Sequence, residues 1–195
     1  MESDLLGEIQ VPKDAYYGVQ TLRGLYNYNI TGVRLSSYRN FIKAFGMIKK
    51  ACIMANGRLG LIKPEIVEAV KQACDEVIEG KLDKEFVVDM IQGGAGTSTN
   101  MNANEVIANR ALEIMGKEKG DYTIVSPNDH INKCQSTNDT YPSSGKLGMY
   151  LDHFELVAEL EKLIDAFEAK AEEFKDVLKM GRTQLQDAVP MTLGQ

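Results

Sequence analysis

The sequence predicts a mainly α fold with minor short strands, on three observations. Apolar residues recur every three or four positions through 37–59, 64–79 and about 100–115. Gly60, Pro64 and Gly80 stand where the first two of these segments should stop or start. From Tyr141 to Val177 a heptad-like apolar period continues past Gly145 and Gly148 near its start. With 195 residues, of which 44% are hydrophobic, the chain is long enough and apolar enough to build a core.

Residues 1–35 read as irregular, with a turn at Val11–Asp14 and room for short extended pieces or a hairpin. Tyr16, Tyr17, Tyr26 and Tyr28 are expected to pack against later helices. In 37–59 the stripe is Phe41, Phe45, Ile48, Cys52, Ala55 and Leu59, with Ser37 as the expected N-cap and Gly60 as the stop. In 64–79 it is Ile66, Ala69, Val70, Ala73, Cys74, Val77 and Ile78. Pro64 suits a first turn, Glu65 the positive end of the dipole and Gly80 a C-terminus. The two segments read as an αα-hairpin.

A glycine-rich turn, Gln92 to Gly96, opens the next helix, from about Asn100 to Met115. Asn100, Asn102, Asn104 and Asn109 are poor helix formers. Asn100 and Asn104 share a face, so this amide stripe is either buried and hydrogen-bonded or lines a polar site. The helix expected over Tyr141–Val177 would be about 55 Å long at 1.5 Å per residue. A compact globule of this chain length is only roughly 40 Å across. Its apolar seam therefore needs further helices, from other sequence or other subunits. The last stretch, from Gly181, leaves the helical pattern and stops without a terminal signal, as if a longer protein continued.

A net charge of −6 with no Lys/Arg block argues against nucleic acid and anionic membrane as partners. No apolar run is long enough to span a bilayer, and the N-terminus lacks the regions of a signal peptide. Cys52, Cys74 and Cys134 form no C-x-x-C, and the odd count fits free thiols in a reducing compartment, hence the cytoplasm.

Three segments share one chemical character: Gly93–Asn104, Asn128–Thr140 and Arg182–Asp187. Each crowds neutral hydrogen-bonding side chains beside a turn or helix start. Each alone is also what a capped helix looks like; together they fit a small, highly oxygenated anion. The Gly93–Ser98 loop lacks the Gly-Lys-Ser/Thr ending of a nucleotide loop. His130 and His153 are too far apart for helical metal-ligand spacing. His130 reads either as a proton carrier or as a structural hydrogen-bond partner.

Three of the motifs are familiar. Gly94–Val106 (Gly-Ala-Gly-Thr-Ser-Thr-Asn-Met-Asn-Ala-Asn-Glu-Val) resembles the first signature region of the aspartase/fumarase superfamily. Pro127–Asp139 (Pro-Asn-Asp-His-Ile-Asn-Lys-Cys-Gln-Ser-Thr-Asn-Asp) resembles its substrate-binding loop, and Gly181–Gln195 the segment after its long helix. The similarity runs through the whole chain in order. It implies an N-terminal, mostly helical domain over 1–138 and, over 139–195, the beginning of a central helical bundle completed by other subunits of a homotetramer.

The activity implied is reversible anti-elimination of ammonia from L-aspartate to give fumarate, without an organic cofactor or a metal site in these residues. The same resemblance implies substrate binding by Thr97, by Ser136, Thr137 and Asn138, and by Thr183 with Gln184. Gln184 stands where fumarases, and some aspartases, carry His, which favours a subgroup of aspartases over fumarase; glutamine can donate a hydrogen bond but cannot exchange a proton at neutral pH. The family's base is a serine on a Gly-Ser-Ser loop, and no such sequence occurs here. The base is therefore expected beyond Gln195, and the 195 residues alone are expected to be inert. Fumarase-like hydration of fumarate, and a helical assembly module without catalysis, are the alternatives.

Overall fold

A computed structural model describes residues 1–195, which form two compact units, Met1–Leu151 and Asp152–Gln195. The first unit opens with an antiparallel hairpin, β1 (Glu2–Asp4) and β2 (Gly7–Ile9), in which Glu2 pairs with Ile9. Four helices follow: α1 (Val19–Asn27), α2 (Arg39–Arg58), α3 (Pro64–Glu79) and α4 (Thr97–Ile114). A fifth, α5 (Thr137–Glu173), begins in the first unit and runs on into the second. No helix is long and apolar enough to cross a membrane.

The core lies among α2, α3 and α4, around Ile42, Phe45, Val70, Val77, Ile107 and Leu112. Helix α3 matches its sequence signals in its bounds and in most of its stripe, with Val67 buried in addition and Ile78 only half-buried. Pro64 sits in its first turn, and Gly80 ends it in the left-handed conformation, φ +88°. Helix α2 starts differently from expectation. Ser37 belongs to a short turn over Leu35–Ser37, and the N-cap is Tyr38, which makes no side-chain cap bond. Its buried face is also rotated from the expected stripe. Ile42, Phe45, Lys49, Ile53 and Asn56 are buried, whereas Ala55 and Leu59 are exposed. Lys49 and Asn56 are polar, so a search for apolar period passes over the true face and settles on its flank.

Helix α1 lies in the stretch that reads as irregular. No capping side chain opens it locally. Its first four amides, which a helix cannot satisfy from within, meet two distant carboxylates. Glu105 on α4 accepts from Gly18, Gln20 and Thr21 N–H at 2.8, 2.8 and 3.0 Å, and from the Thr21 hydroxyl at 2.6 Å. Glu2 accepts from Val19 N–H at 2.9 Å and from the Tyr122 hydroxyl at 3.1 Å. Burial pushes the Glu105 carboxyl up, and the Thr21 hydroxyl and three amides pull the other way.

A second carboxylate gathers the loop before α2. Asp89 accepts from Ile30, Thr31, Gly32 and Ile91 amides and from the Thr31 hydroxyl. Burial alone would raise its pKa. The amides of Ile91, Thr31 and Gly32 and the Thr31 hydroxyl outweigh that and hold it at about 2.

In the second unit, α5 ends at Glu173, four residues before its expected limit, having started four residues earlier at Thr137. The chain then makes an antiparallel hairpin, β3 (Leu178–Thr183) and β4 (Gln186–Thr192), with an irregularity at Gly181/Arg182. The amides of Leu193 and Gly194 bond back to the carbonyls of Val177 and Phe174, tying the hairpin's end to the turn after the helix. The two-residue turn, Gln184–Leu185, has both φ angles positive, at 51° and 63°. Asn-Gly is the usual signature of such a turn, and its absence hides the hairpin from the sequence.

Glu105→Ala would leave buried amides and a hydroxyl without acceptors. It is expected to lower unfolding free energy by about 3 kcal/mol or more, at about 1–3 kcal/mol per stranded group, read as the urea midpoint. A loss below about 1 kcal/mol would mean that the apolar face of α1 holds the helix unaided. For Asp89 the folded pKa lies below the unfolded one, so its contribution is complete above pH 3.8 and is lost as pH falls through about 2. Amide exchange at Thr31 and Gly32 should remain protected at pH 4; loss of protection already at pH 5 would contradict that assignment.

Candidate functional site

The first turns of α4 and α5 are pinned together. Gly96 caps α4 with φ +85°, and a Cβ there would run into the Tyr141 ring. One turn on, the Asn100 amide nitrogen donates to Thr137 Oγ1 at 3.0 Å, and the Thr140 hydroxyl donates to Asn100 Oδ1 at 3.1 Å. The Tyr141 ring packs edge-on against Phe41 and Phe45 of α2, so the pinned pair is seated on the core.

The expected site residues fall on this frame as follows. Thr97 is the first residue of α4 and is exposed. Ser136 precedes α5 and caps it, its Oγ accepting the Asn138 amide at 3.1 Å. Thr137 is half-buried, and Ser136 and Asn138 are exposed. Both hydroxyls of Ser136 and Thr137 thus already accept a hydrogen bond from within the protein. Each keeps its own proton to give to something outside. Thr183 ends β3 and Gln184 opens the β3–β4 turn, both exposed, in the second unit.

Beneath the two helix starts lies a group the sequence reading did not single out. Lys49 on α2 is 1% exposed, and its ammonium donates to Asn100 Oδ1 at 2.8 Å, Gln135 Oε1 at 2.9 Å and Asn132 Oδ1 at 3.1 Å. Asn132 Oδ1 also accepts from the side-chain amides of Asn100 (3.0 Å) and Asn104 (3.2 Å). Gln135 in turn donates to the Ile131 carbonyl at 2.7 Å, and Asn56 to the Lys133 carbonyl at 3.0 Å. These bonds fix the polar loop between residues 131 and 136 against α2 and α4. All three partners of Lys49 are neutral amides. Burial pushes its pKa down, to about 7. The available signal was positional: Lys49 stands four residues after Phe45 and four before Ile53, on the face that proved to be buried.

The amide stripe of α4 is buried and hydrogen-bonded along its length. Asn102 accepts the Val87 amide and donates to the Glu85 carbonyl. Asn109 donates to the Tyr16 carbonyl and the Tyr122 hydroxyl and accepts the Gly120 amide. His130 takes the structural role of its two readings. Its Nδ1 accepts the Ser126 amide at 2.9 Å inside the single wide turn Pro127–Ile131, and burial lowers its pKa. Cys52, Cys74 and Cys134 are all free; Cys74 is buried and Cys134 exposed. A cleft of about 780 Å³ lies away from the helix starts, between the N-terminal hairpin and Tyr26, Glu118 and Lys119, and gathers no comparable set of donors.

Comparison with known proteins agrees with the motifs. A family model described as Lyase matches residues 7–195. An aspartate ammonia-lyase of Pseudomonas aeruginosa is 57% identical over 195 residues, covering 100% of this chain and 41% of that protein. One from Helicobacter pylori is 56% identical, covering all of this chain and 42% of that protein. A crystal structure described as fumarate lyase:delta crystallin from Brucella melitensis superposes with a TM-score of 0.89 at 51% identity, covering 99% of this chain and 44% of the other. The chain thus spans less than half the length of these relatives.

Gly96→Ala combines a left-handed φ with a collision against Tyr141. It is expected to cost about 2–4 kcal/mol, from about 1–3 kcal/mol for the backbone strain plus overpacking. Chemical denaturation measures it, and a neutral substitution would show that α4 and α5 are not in contact there.

Proposed function

The chain belongs to the lyase family whose model spans residues 7–195, and from that premise we propose that it is the N-terminal part of an aspartate ammonia-lyase. The reaction is the reversible elimination of ammonia from L-aspartate to fumarate. One observation carries the reading: at the adjoining starts of α4 and α5, the Ser136 and Thr137 hydroxyls each accept a hydrogen bond from inside the protein, which orients them with a proton left to donate. Relatives at 56–57% identity bearing that name support it.

The chemistry accounts for such a site. Removal of a C3 proton places charge on the adjacent carboxylate, giving a dianionic intermediate whose oxygens need donors already in position. Hydroxyls and amides held by a folded frame supply them without reorganising. Thr97, Ser136, Thr137 and Asn138 are assigned to the substrate's oxygens; Thr183 and Gln184 are assigned the same role, each active site of the tetramer taking its segments from several subunits. The base is assigned to a serine outside these 195 residues, so the segment binds and orients but does not take the proton. The enzyme is further assigned as a homotetramer. Support comes from the exposed apolar side chains of α5 at Leu156, Leu160, Leu163, Ile164 and Phe167, a run along one helix face of the kind that marks an interaction surface. The unbridged cysteines support a reducing compartment, the cytoplasm.

Thr137→Ala in the full-length enzyme is expected to lower kcat by about 100- to 1,000-fold, the effect of deleting one oxyanion donor. The melting temperature and the tetramer, read by sedimentation, should stay intact. Fumarate is followed by its ultraviolet absorbance. Near-normal turnover by the variant would remove Thr137 from the site, and fumarate formed from malate but not from aspartate would replace the ammonia-lyase reading with a hydratase.

A further inference from the structure

We propose that Lys49 is a positioning residue for the anion site: it sets the direction of a hydrogen-bond chain, Lys49 to Asn100 to Thr137, that leaves the Thr137 hydroxyl as a donor to the bound carboxylate. The inference rests on the site assignment above and extends it to a residue that touches no substrate.

The geometry carries it. A side-chain amide can sit in either of two orientations, with oxygen and nitrogen exchanged. Asn100 is fixed by its neighbours. Its Oδ1 faces the Lys49 ammonium at 2.8 Å and the Thr140 hydroxyl at 3.1 Å; its Nδ2 faces Thr137 Oγ1 and Asn132 Oδ1, each at 3.0 Å. An ammonium has three protons and no acceptor. Reversing Asn100 would turn an N–H group toward that ammonium and set two carbonyl oxygens, Asn100 and Asn132, against each other. Thr137 would then have to give its proton inward to Asn100. With Lys49 in place, Asn100 gives to Thr137, and the Thr137 proton is free to point away from the protein.

The cage around the ammonium is matched to this task. Three protons meet three amide oxygens, on Asn100, Asn132 and Gln135. A carboxylate partner would cancel the charge; neutral amides do not, and an anion held above Thr137 would itself favour the protonated ammonium against the burial that lowers its pKa. A buried lysine that served only to fill space would be replaceable by an apolar chain of the same length at little cost. Here its removal releases the orientation of Asn100 and, through it, of the substrate donor.

The test uses the full-length enzyme, with the wild type first shown to make fumarate from aspartate, so that failure of the function and failure of this inference are separate results. Lys49→Met is expected to lower kcat/KM by about 100-fold, the scale of losing one oriented donor. The decisive readout is its combination with Thr137→Ala. If Lys49 acts through Thr137, the double variant is no slower than Thr137→Ala alone; two independent lesions would multiply.

Should Lys49→Met not fold, Asn100→Asp gives the same reading with the lysine paired. Its carboxylate can only accept, so Thr137 must donate inward, and a similar loss is expected in a protein that still folds, although the new oxygen faces Asn132 Oδ1 and lowers the melting temperature. Turnover within about two-fold of wild type for a folded Lys49→Met or Asn100→Asp protein, or multiplicative losses in either double variant, would overturn the assignment.

Discussion

A helix buried on nearly every face cannot carry polar side chains unless each finds a partner, and α4 carries six: Thr99, Asn100, Asn102, Asn104, Glu105 and Asn109. That constraint organises the first unit. Thr99 exchanges two bonds with Gln92, Asn102 holds the backbone at residues 85 and 87, and Asn109 holds Tyr16 and Gly120. Glu105 holds the start of α1, and Asn100 and Asn104 reach into the loop before α5. Segments scattered through the sequence are thereby fixed by one element. The exception is Asn104, whose Oδ1 is buried without a partner while its nitrogen serves Asn132.

The same constraint explains how a cation can sit under the proposed anion site. Burying an ammonium costs several kcal/mol. Hydrogen bonds to charged groups return about 1.5–3 kcal/mol each, and Lys49 makes three. The hydrogen bonds oppose the cost of burial, and they impose one arrangement on the amides around Lys49. What it provides is order in the loop and the two helix starts, the property that donors to a developing charge require.

Much of this architecture was legible because local signals and tertiary structure agree. Helix α3 is the clearest case: proline at its start, glycine at its end and one apolar stripe define it without help. The polar segments at 97 and 136–138 were legible by composition, and the structure places them at the first turns of α4 and α5. What the sequence concealed has a common physical cause, since it depends on partners far along the chain. The start of α1 is capped from Glu105, and the face of α2 includes two polar residues, Lys49 and Asn56, whose acceptors lie far along the chain. The β3–β4 hairpin was hidden for a local reason, a left-handed turn built from Gln184 and Leu185 in place of glycine or asparagine.

The capping of α1 also has a bearing on the order in which the protein folds. A nine-residue helix is marginal by itself, and its opening amides wait for a carboxylate 87 residues later in the chain. Closing so long a loop is slow compared with forming a local turn. During synthesis α1 therefore leaves the ribosome well before α4, and its opening amides wait for that carboxylate until α4 has emerged and packed.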